Sequence, residues 1–416
     1  MTQVTQLALD AHFGAAPTAD ADVARARSPA AFGDMELSIH DDMAALEQEW
    51  RAFEAHADCT VFQTFDWLAN WQRHVGLRNG VLPAIVVGRD AAGSIEFLLP
   101  LSIRLAGFAR ELTWLGSDLC DYNAPLLARD FDAAQFAELW GKITQHLRGD
   151  PRFCFDYINF TKMPARVGAR SNPFTQLGVT MNPSGAYLTH LSGDWESYYT
   201  GKRSSATRRR DRTKRKKLSE YGEVRLYNPA SRDDIERTLA ILMEQKARAF
   251  ARMGVANLFA HPGYADFYRA IAGDPALSER VHVSALHVGA TPAAANLGLM
   301  FRGCYYHLLA SYCEGELARF GPGAAHLHEL MQLAIDRGMT VFDITIGDEP
   351  YKRDWSDTEL TLYDFVQAST WRGALLAGPL LAKQRLKRWI KQTPVAWKAV
   401  SAARAALGAV SRFVGR

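Results

Sequence analysis

A glycine-rich turn, Gly321-Pro322-Gly323, is the clearest candidate for chemistry in the sequence. It lies between a predicted strand that ends at Ser311 and a predicted helix that runs to Arg337. The N–H groups in the first turn of a helix have no intrahelical acceptor, and the helix dipole adds positive charge there. Glycine also lets a ligand approach the backbone closely. The pattern therefore predicts a cradle for a phosphate or another anion, and a plain loop before a helix is the alternative.

A second group of ionisable and aromatic side chains follows that helix, between Phe342 and Trp355. Asp343 interrupts a predicted apolar strand, where a half-buried carboxylate needs either a partner or a chemical role. Tyr351, Lys352 and Trp355 follow in a predicted loop. The lysine could hold a phosphate or an acidic acceptor, whereas the two aromatic residues could equally belong to the core. We therefore treat these three residues as candidates for substrate binding.

A run of basic residues forms a third feature. Ten of the sixteen residues from Lys202 to Lys217 are basic, and Asp211 is the one acidic residue among them. Such a density of positive charge attracts polyanions such as nucleic acid, anionic lipid headgroups or a phosphorylated carrier. A solvated helix face is the alternative. Aromatic residues are not interleaved with the basic ones, so base stacking is not indicated and DNA is not expected as a partner.

The C-terminal segment, residues 371–416, contains no acidic residue and places Lys and Arg among Leu, Ala, Val and Trp. Basic amphipathic helices of this kind often lie on anionic membrane surfaces. A tail helix that packs on the second domain is the alternative. The segment therefore predicts either a membrane-surface contact or a helical extension.

The composition is that of a packed globular protein of two or three domains. The chain has 416 residues, of which 48% are hydrophobic and 22% charged, and its net charge of +3 indicates no class of partner. Its five cysteines are scattered without a CxxC pair, which argues against a disulfide framework or a metal site and favours a reducing cytosol. We find no secretory signal and no run of about 18 apolar residues, so a cytoplasmic location is expected.

The two halves of the chain show predicted elements in the same order: helices, a hairpin, a helix and a strand. In the second half, the hairpin is predicted from Val281 to Val288 and from Thr291 to Phe301. A single helix is predicted from Trp195 to Tyr221 and contains the basic run. The order indicates mixed α/β sheets and a coarse structural duplication.

Four segments follow from this pattern. Residues 1–34 are predicted to be a flexible tail. Residues 35–185 form a first domain, which ends in a connector rich in Pro, Gly and Asn. Residues 186–370 form a second domain, and residues 371–416 form the basic helical tail.

The motifs of the second half resemble those of the GNAT-fold acetyltransferases of the cellulose-biosynthesis (CelD-like) group, which are relatives of the Fem-type peptidyl transferases. The shared features are Ser311-Tyr312 at a strand end, a Pro-Gly helix start, and Asp343-x-x-x-Gly347-x-x-x-Tyr351-Lys352-x-x-Trp355. The N-terminal sequence Phe65-Asp66-Trp67-Leu68-x-x-Trp71 also fits that group. The resemblance covers most of residues 36–370.

This resemblance implies two tandem GNAT-like domains with a C-terminal helical extension. It implies that acyl-CoA, acetyl-CoA or a longer form, is the co-substrate, with its pyrophosphate at Gly321, Gly323 and Ala324. Ordinary GNAT enzymes carry Arg/Gln-x-x-Gly-x-Gly/Ala at this point. Here Arg319 stands one place closer to the glycines, and Pro322 removes one donor N–H.

A GNAT mechanism needs few side chains. The acceptor amine must lose a proton before it attacks the thioester, and the oxyanion that forms needs a hydrogen-bond donor. Asp343, Glu314 or His307 could be the base, directly or through water. Tyr312 could donate a proton to the leaving thiolate. A histidine satisfied within the core is the alternative for His307.

The expected function is therefore that of an acyl-CoA-dependent N-acyltransferase. Its acceptor would be an amine or hydroxyl of a sugar, a lipid-linked saccharide or another envelope or exopolysaccharide precursor, at the inner face of the membrane. A Fem-like transferase that uses aminoacyl-tRNA is one alternative. A non-catalytic GNAT pair that serves as a scaffold in a polysaccharide synthesis machine is another.

Overall fold

The structure, a computed structural model, describes residues 35–393. These residues form two compact units. Residues 35–185 and Leu360–Trp389 make up the first unit, and Ala186–Glu359 make up the second. The tail predicted over residues 1–34, and residues 394–416 of the basic tail, lie outside the described residues.

Ten α-helices and seventeen strands span the described residues. The helices are α1 (Glu47–Glu54), α2 (Phe65–Trp71), α3 (Phe136–Gly149), α4 (Trp195–Lys202), α5 (Ser205–Ser219), α6 (Arg232–Met253), α7 (Tyr264–Gly273), α8 (Pro322–Asp336), α9 (Pro350–Trp355) and α10 (Trp371–Gln392). The strands are β1 (Glu36–His40), β2 (Leu82–Arg89), β3 (Ile95–Ala106), β4 (Ala109–Trp114), β5 (Leu126–Leu127), β6 (Tyr157–Pro164), β7 (Arg166–Val167), β8 (Arg170–Ser171), β9 (Thr180–Met181), β10 (Ala186–His190), β11 (Val224–Tyr227), β12 (Val281–Val288), β13 (Thr291–Phe301), β14 (Cys304–Tyr312), β15 (Val341–Ile346), β16 (Thr358–Leu360) and β17 (Leu362–Ala368).

The two units contain sheets with the same order of pairing. The first sheet runs β1-β2-β3-β4-β6-β17-β9, with β5 added beside β3. The second runs β11-β12-β13-β14-β15-β10-β16. In each sheet an antiparallel hairpin is followed by one parallel pair, β4 with β6 and β14 with β15. The predicted mixed α/β fold class is therefore confirmed.

The sixth strand of the first sheet comes from an unexpected part of the chain, whereas that of the second does not. β10, at the start of the predicted second domain, pairs with β15 in the second sheet. β17 follows the strands of the second sheet, yet it pairs with β6 and β9 in the first. The sequence pattern places residues up to 370 in the second domain, whereas six residues of β17 are paired with β6. Strand pairing joins residues that are distant in sequence, so local patterns do not reveal it.

The single helix predicted from 195 to 221 is in fact two helices, α4 and α5. Arg203 between them is extended, with φ −121° and ψ 132°. Ser204 then caps α5, because its side-chain oxygen accepts from the N–H of Thr207 at 3.2 Å. A serine at this position ends one helix and starts the next, since its hydroxyl replaces a missing intrahelical acceptor.

The core of the second unit forms where α8 packs on the sheet. Its apolar residues recur at helical spacing and are Leu327, Leu330, Met331 and Ala334. They are buried against Phe342 and Ile344 of β15. Each fully buried large side chain contributes about 1.5–3 kcal/mol. This packing fixes the start of α8 relative to the strands.

The cysteines are packed in the protein as free thiols. Burial raises the pKa of Cys120 to about 12 and raises the pKa of Cys304 well above its ordinary value. Protonated, buried thiols are poor nucleophiles and poor metal ligands. Within residues 35–393 no group of three or more His, Cys, Asp or Glu is arranged to hold a metal ion.

Candidate active site

The second sheet splits where β14 leaves β15. The two parallel strands share three residue pairs, the last of which joins Tyr306 and Asp343. Beyond this point β15 stays beside β10, whereas β14 stays beside β13 as far as Tyr312. Within the described residues, the facing edges therefore diverge without another strand between them. Such a gap leaves room for a ligand beside backbone polar groups.

Irregular backbone accompanies the split on both strands. The pairing of β13 with β14 shifts register at Gly298, where a Cβ atom would lie 2.3 Å from the Tyr305 hydroxyl. On β15, Thr345 has a φ of 61°, which is rare for a β-branched residue. Its N–H donates to Oδ1 of Asp343 at 2.7 Å. Bulges and strained residues of this kind occur beside functional sites, where they redirect the chain.

Two of the candidate bases are buried at the base of the split. Asp343 is fully buried and holds the N–H of Thr345. His307 is also buried, and its burial, followed by the charges of Lys352 and Lys246, lowers its pKa to about 3. An imidazole with so low a pKa is a weak base. The geometry thus gives Asp343 a backbone contact rather than the exposed position expected of a direct base.

The glycine-rich turn begins α8 where the sequence predicts. Gly321 adopts a left-handed conformation, with φ 67°, and Pro322 occupies the first helical position without an N–H. Gly323 and Ala324 therefore supply the first N–H donors of the helix. A Cβ atom on Gly323 would lie 3.3 Å from the ring of Tyr312. The start of α8 and the end of β14 are thus side by side at the mouth of the split.

Lys214 of α5 places a positive charge beside this helix start. Its Nζ lies 3.9 Å from a Cβ atom built on Gly321. The sequence indicates the basic run but not this neighbour, because the contact joins two elements distant in sequence. Lys214 is therefore a functional candidate that sequence reasoning locates only as part of a charged segment.

A groove of about 760 Å³ extends from Gly321 between α4, α5 and α8. Its charged lining is mixed, and two of its cations are engaged within the unit. Arg208 donates to the carbonyl oxygens of Thr200 and Arg203, and Arg215 is 2.5 Å from Glu329. The remaining cations of the lining are Arg212 and Lys214, of which Lys214 lies beside Gly321 at the start of α8.

Lys352 is a buried cation in α9, a short helix where the sequence predicts a loop. Its ammonium donates to the carbonyl oxygen of Ile346 at 2.7 Å and to that of Thr345 at 3.3 Å. The Glu349 carboxylate lies 3.5 Å away and is largely exposed. A Cβ atom on Gly347 would lie 2.8 Å from Nζ, and the φ of 144° at Gly347 also favours glycine. The segment from Gly347 to Lys352 thus turns around the ammonium group of Lys352.

Two other candidates lie at the surface in ion pairs. Arg319, expected to bind the co-substrate, donates to Glu316 at 2.7 Å, and its guanidinium lies 4.7 Å from the ring centre of Phe320. Glu314, a candidate base, is 3.1 Å from Arg252. Both candidates thus have an oppositely charged partner within the unit.

The two aromatic candidates differ in burial. Trp355 is buried in the core cluster of the second unit, with its ring 6.2 Å from that of Tyr199 and under the guanidinium of Arg203. Tyr351 is partly exposed. Of the two alternatives that the sequence left open, a core position therefore fits Trp355, whereas Tyr351 is partly exposed to solvent.

The first sheet has the corresponding split, between β4 and β6 after Leu112 and Ile158. Here Asn123 donates to the Thr161 carbonyl from its side chain at 2.9 Å and to the Lys162 carbonyl from its backbone at 3.1 Å. Trp114 lies 4.9 Å from the ring of Phe160 and at the same distance from that of Phe174. The following segment is buried through Leu115, Leu119, Cys120, Tyr122 and Ala124. The chain itself therefore fills this split.

The open split lies within a segment that matches a known family. Residues 205–353 match the family described as Acetyltransferase (GNAT) domain. The match contains α5, the split between β14 and β15, the start of α8, and Lys352. The similarity to this family thus lies within the second unit, over the residues that surround the split.

Solved structures resemble a larger part of the chain. FemX aligns with a TM-score of 0.53 at 10% identity, over 80% of this chain and 97% of that one. A conserved protein of unknown function from Bacteroides thetaiotaomicron aligns with a TM-score of 0.49 at 14% identity, over 80% and 100%. A tandem GNAT protein from the clavulanic acid biosynthesis pathway aligns at 0.45 and 11%, over 80% and 98%. At such identities the likeness to FemX shows the fold alone. None of the curated proteins compared with the chain matches it.

Proposed function

We propose that the second unit transfers an acyl group from acyl-CoA to an amine or hydroxyl acceptor. The observation that carries the proposal is the open split between β14 and β15, with the start of α8 at its mouth. A thioester placed there would lie beside backbone donors, between two diverging strands. The motif resemblance to the CelD-like group supports a sugar or a lipid-linked envelope precursor as the acceptor.

The start of α8 suits the pyrophosphate of the co-substrate. Pro322 provides no donor and Arg319 is held by Glu316, which weakens the usual GNAT arrangement. The N–H groups of Gly323 and Ala324 remain, and Lys214 supplies the positive charge that Arg319 does not. A polyanionic co-substrate is therefore matched by a helix N-terminus and one neighbouring ammonium.

The reaction forms a bond from the acceptor nitrogen or oxygen to the acyl carbon and breaks the carbon–sulfur bond. Lys352 is the group assigned to the developing oxyanion, because a buried ammonium stabilises negative charge more strongly than an exposed one. Tyr312, half exposed beside Gly323, is assigned to protonate the leaving thiolate. Of the three candidate bases, Glu314 is the exposed carboxylate and is assigned to accept the acceptor proton through water.

The binding step can be tested by titrating acetyl-CoA and longer acyl-CoA into the protein in a calorimeter. Gly323→Asp puts a negative charge among the first N–H groups of α8, and the half-exposed Tyr312 can yield to the new side chain. We expect micromolar binding by the wild type and its loss in this variant. Ala240→Asp, on the exposed face of α6, adds the same charge away from the groove and should bind like the wild type. Equal binding by both folded variants would refute the site.

A transferase that uses aminoacyl-tRNA is the second candidate, and the basic helix α5 beside the start of α8 favours it. In that case RNA, rather than CoA, would neutralise Arg212 and Lys214. Failure to bind any acyl-CoA, together with RNA binding that weakens in Arg212→Gln/Lys214→Gln, would support this candidate. Failure to bind either ligand would favour the non-catalytic scaffold.

A further inference from the structure

Helix α10 is anchored to the first unit by its inner face. Thr370 precedes it and donates to the Asp156 carboxylate at 2.6 Å, while the N–H of Gly373 donates to the Thr370 hydroxyl. A Cβ atom on Gly373 would lie 1.9 Å from the carbonyl oxygen of Asp156, so the helix backbone is in direct contact there. One turn later, Ala377 is buried. Small residues thus hold α10 close to the unit.

The outer face of α10 is apolar. Trp371, Leu375, Leu386 and Trp389 have exposed fractions of 71%, 56%, 56% and 59%. Their spacing, with steps of four, eleven and three residues, places all four within about one sixth of the helix circumference. We call these four residues the outer stripe. Two pairs of large exposed apolar residues on one helix face, on either side of Pro379, indicate an interaction surface.

Basic side chains border the outer stripe. At the same helical periodicity, Arg372 and Lys383 fall on one side of it and Arg385 on the other, and all three are exposed. Acidic residues are absent from the sequence between 371 and 416. The charge of this face is therefore entirely positive, which selects an anionic partner.

We propose that the outer stripe of α10 docks on the surface of an anionic lipid bilayer. A helix lying in the interface plane buries its apolar face at the headgroup boundary and pairs its Lys and Arg with lipid phosphates. Tryptophan prefers that boundary, because its ring is apolar and its N–H remains hydrogen-bonded. Among residues 35–393 no helix, α10 included, is long and apolar enough to cross a bilayer. The inference concerns a surface contact and is independent of the proposed transferase site.

The test is cosedimentation of the full-length protein with vesicles of phosphatidylglycerol and phosphatidylcholine in equal parts. We expect binding that falls when salt is raised and is absent from pure phosphatidylcholine. Trp371→Ser/Trp389→Ser should weaken binding at least about tenfold, since it removes two interfacial anchors. Lys383→Gln/Arg385→Gln should weaken it about tenfold at low salt and little at high salt.

The matched control is Leu105→Ser/Phe108→Ser, which removes two exposed apolar residues from the β3–β4 hairpin of the same unit. This variant should bind vesicles like the wild type. A wild type that ignores phosphatidylglycerol vesicles would overturn the proposal, and so would a tryptophan variant that binds them fully. A lipid-free dimer that dissociates in the tryptophan variant would instead make the outer stripe an interface between copies, which also overturns it.

Discussion

The two sheets split in the same place, but the first split is filled by the chain while the second is open. After β4, the largely buried segment from Leu115 to Ala124 turns back into the first split, where Asn123 satisfies two carbonyl groups of β6. β14 ends at the half-exposed Tyr312, and a shorter connection, residues 313–321, leads from there directly into α8. The same strand order therefore produces a filled split in one unit and, in the described residues of the other, two diverging strands with no strand between them.

A lysine lies beside each split, and the two lysines donate to different parts of the chain. The Lys162 ammonium donates to the carbonyl oxygen of Cys120, in the segment that fills the first split. The Lys352 ammonium donates to Ile346 and Thr345, on the strand that borders the open split. Duplication of a fold thus preserves the strand geometry, while the connecting segments decide which copy has room for chemistry.

The largest expected difference between the units is their response to acid. Burial lowers the pKa of His282, His307 and His326 to about 3, and all three lie in the second unit. Below about pH 6.5 the unfolded chain takes up protons that the folded unit does not, so stability falls as pH decreases toward 4. Each imidazole contributes a slope of about 1.4 kcal/mol per pH unit.

Hydrogen exchange read by mass spectrometry, with rates corrected for pH, measures this difference. Between pH 7 and pH 5 we expect peptides from α8 and β12–β15 to lose protection before those from β2–β6. In the first unit His40 also has a lowered pKa, but it is only partly buried. Parallel loss of protection in both units would contradict the prediction.

The next largest effect concerns packing in the filled split. Trp114→Ala should destabilise the protein by about 3–5 kcal/mol, because it leaves a cavity beside Phe160 and Phe174. Tyr312→Ala, at the open split, should cost less than about 1 kcal/mol, because half of that side chain is exposed. Urea denaturation measures both values. Similar losses from the two variants would mean that the second split is as tightly packed as the first.

The third prediction is that the two lysines differ in their effect on the rate of acyl transfer. Lys352→Met should lower the rate of thiol release from acyl-CoA by about 10²–10³-fold, as the loss of an oxyanion-stabilising donor does. Lys162→Met removes the corresponding ammonium of the filled split and should leave that rate unchanged. A thiol-reactive dye measures the rate, and circular dichroism checks that both variants fold. Equal rates in the two variants would assign Lys352 a purely structural role.

Local signals allowed several elements to be predicted from the sequence. The hairpin of β12 and β13 follows from two apolar runs separated by Gly289-Ala290. The start of α8 follows from Gly321-Pro322-Gly323, because a left-handed glycine and a proline at the first position specify a helix start without distant contacts. Ser204 carried a comparable local signal, an N-cap, that divides the basic run between α4 and α5.

The candidate site depended on contacts that local signals do not encode. The sequence identified Gly323, Tyr312 and Lys352 as chemical candidates, but it did not place Lys214 beside Gly321. It named Asp343 as one of three candidate bases but did not reveal that this carboxylate is fully buried and accepts the N–H of Thr345. Burial and partner choice depend on which strands and helices meet, and those meetings join residues far apart in the chain.

The sequence by itself therefore determined the type and order of most of the long elements, since helical and strand periodicities are local properties. It did not separate α4 from α5, and it predicted a loop where α9 lies. Tertiary structure decided that β17 takes the sixth place in the first sheet, apart from the strands that precede it in sequence. It also decided that the first split is filled and the second is open. The physical reason is that register, burial and close approach of charges are set by long-range packing, where each contact becomes favourable only once the whole sheet has formed.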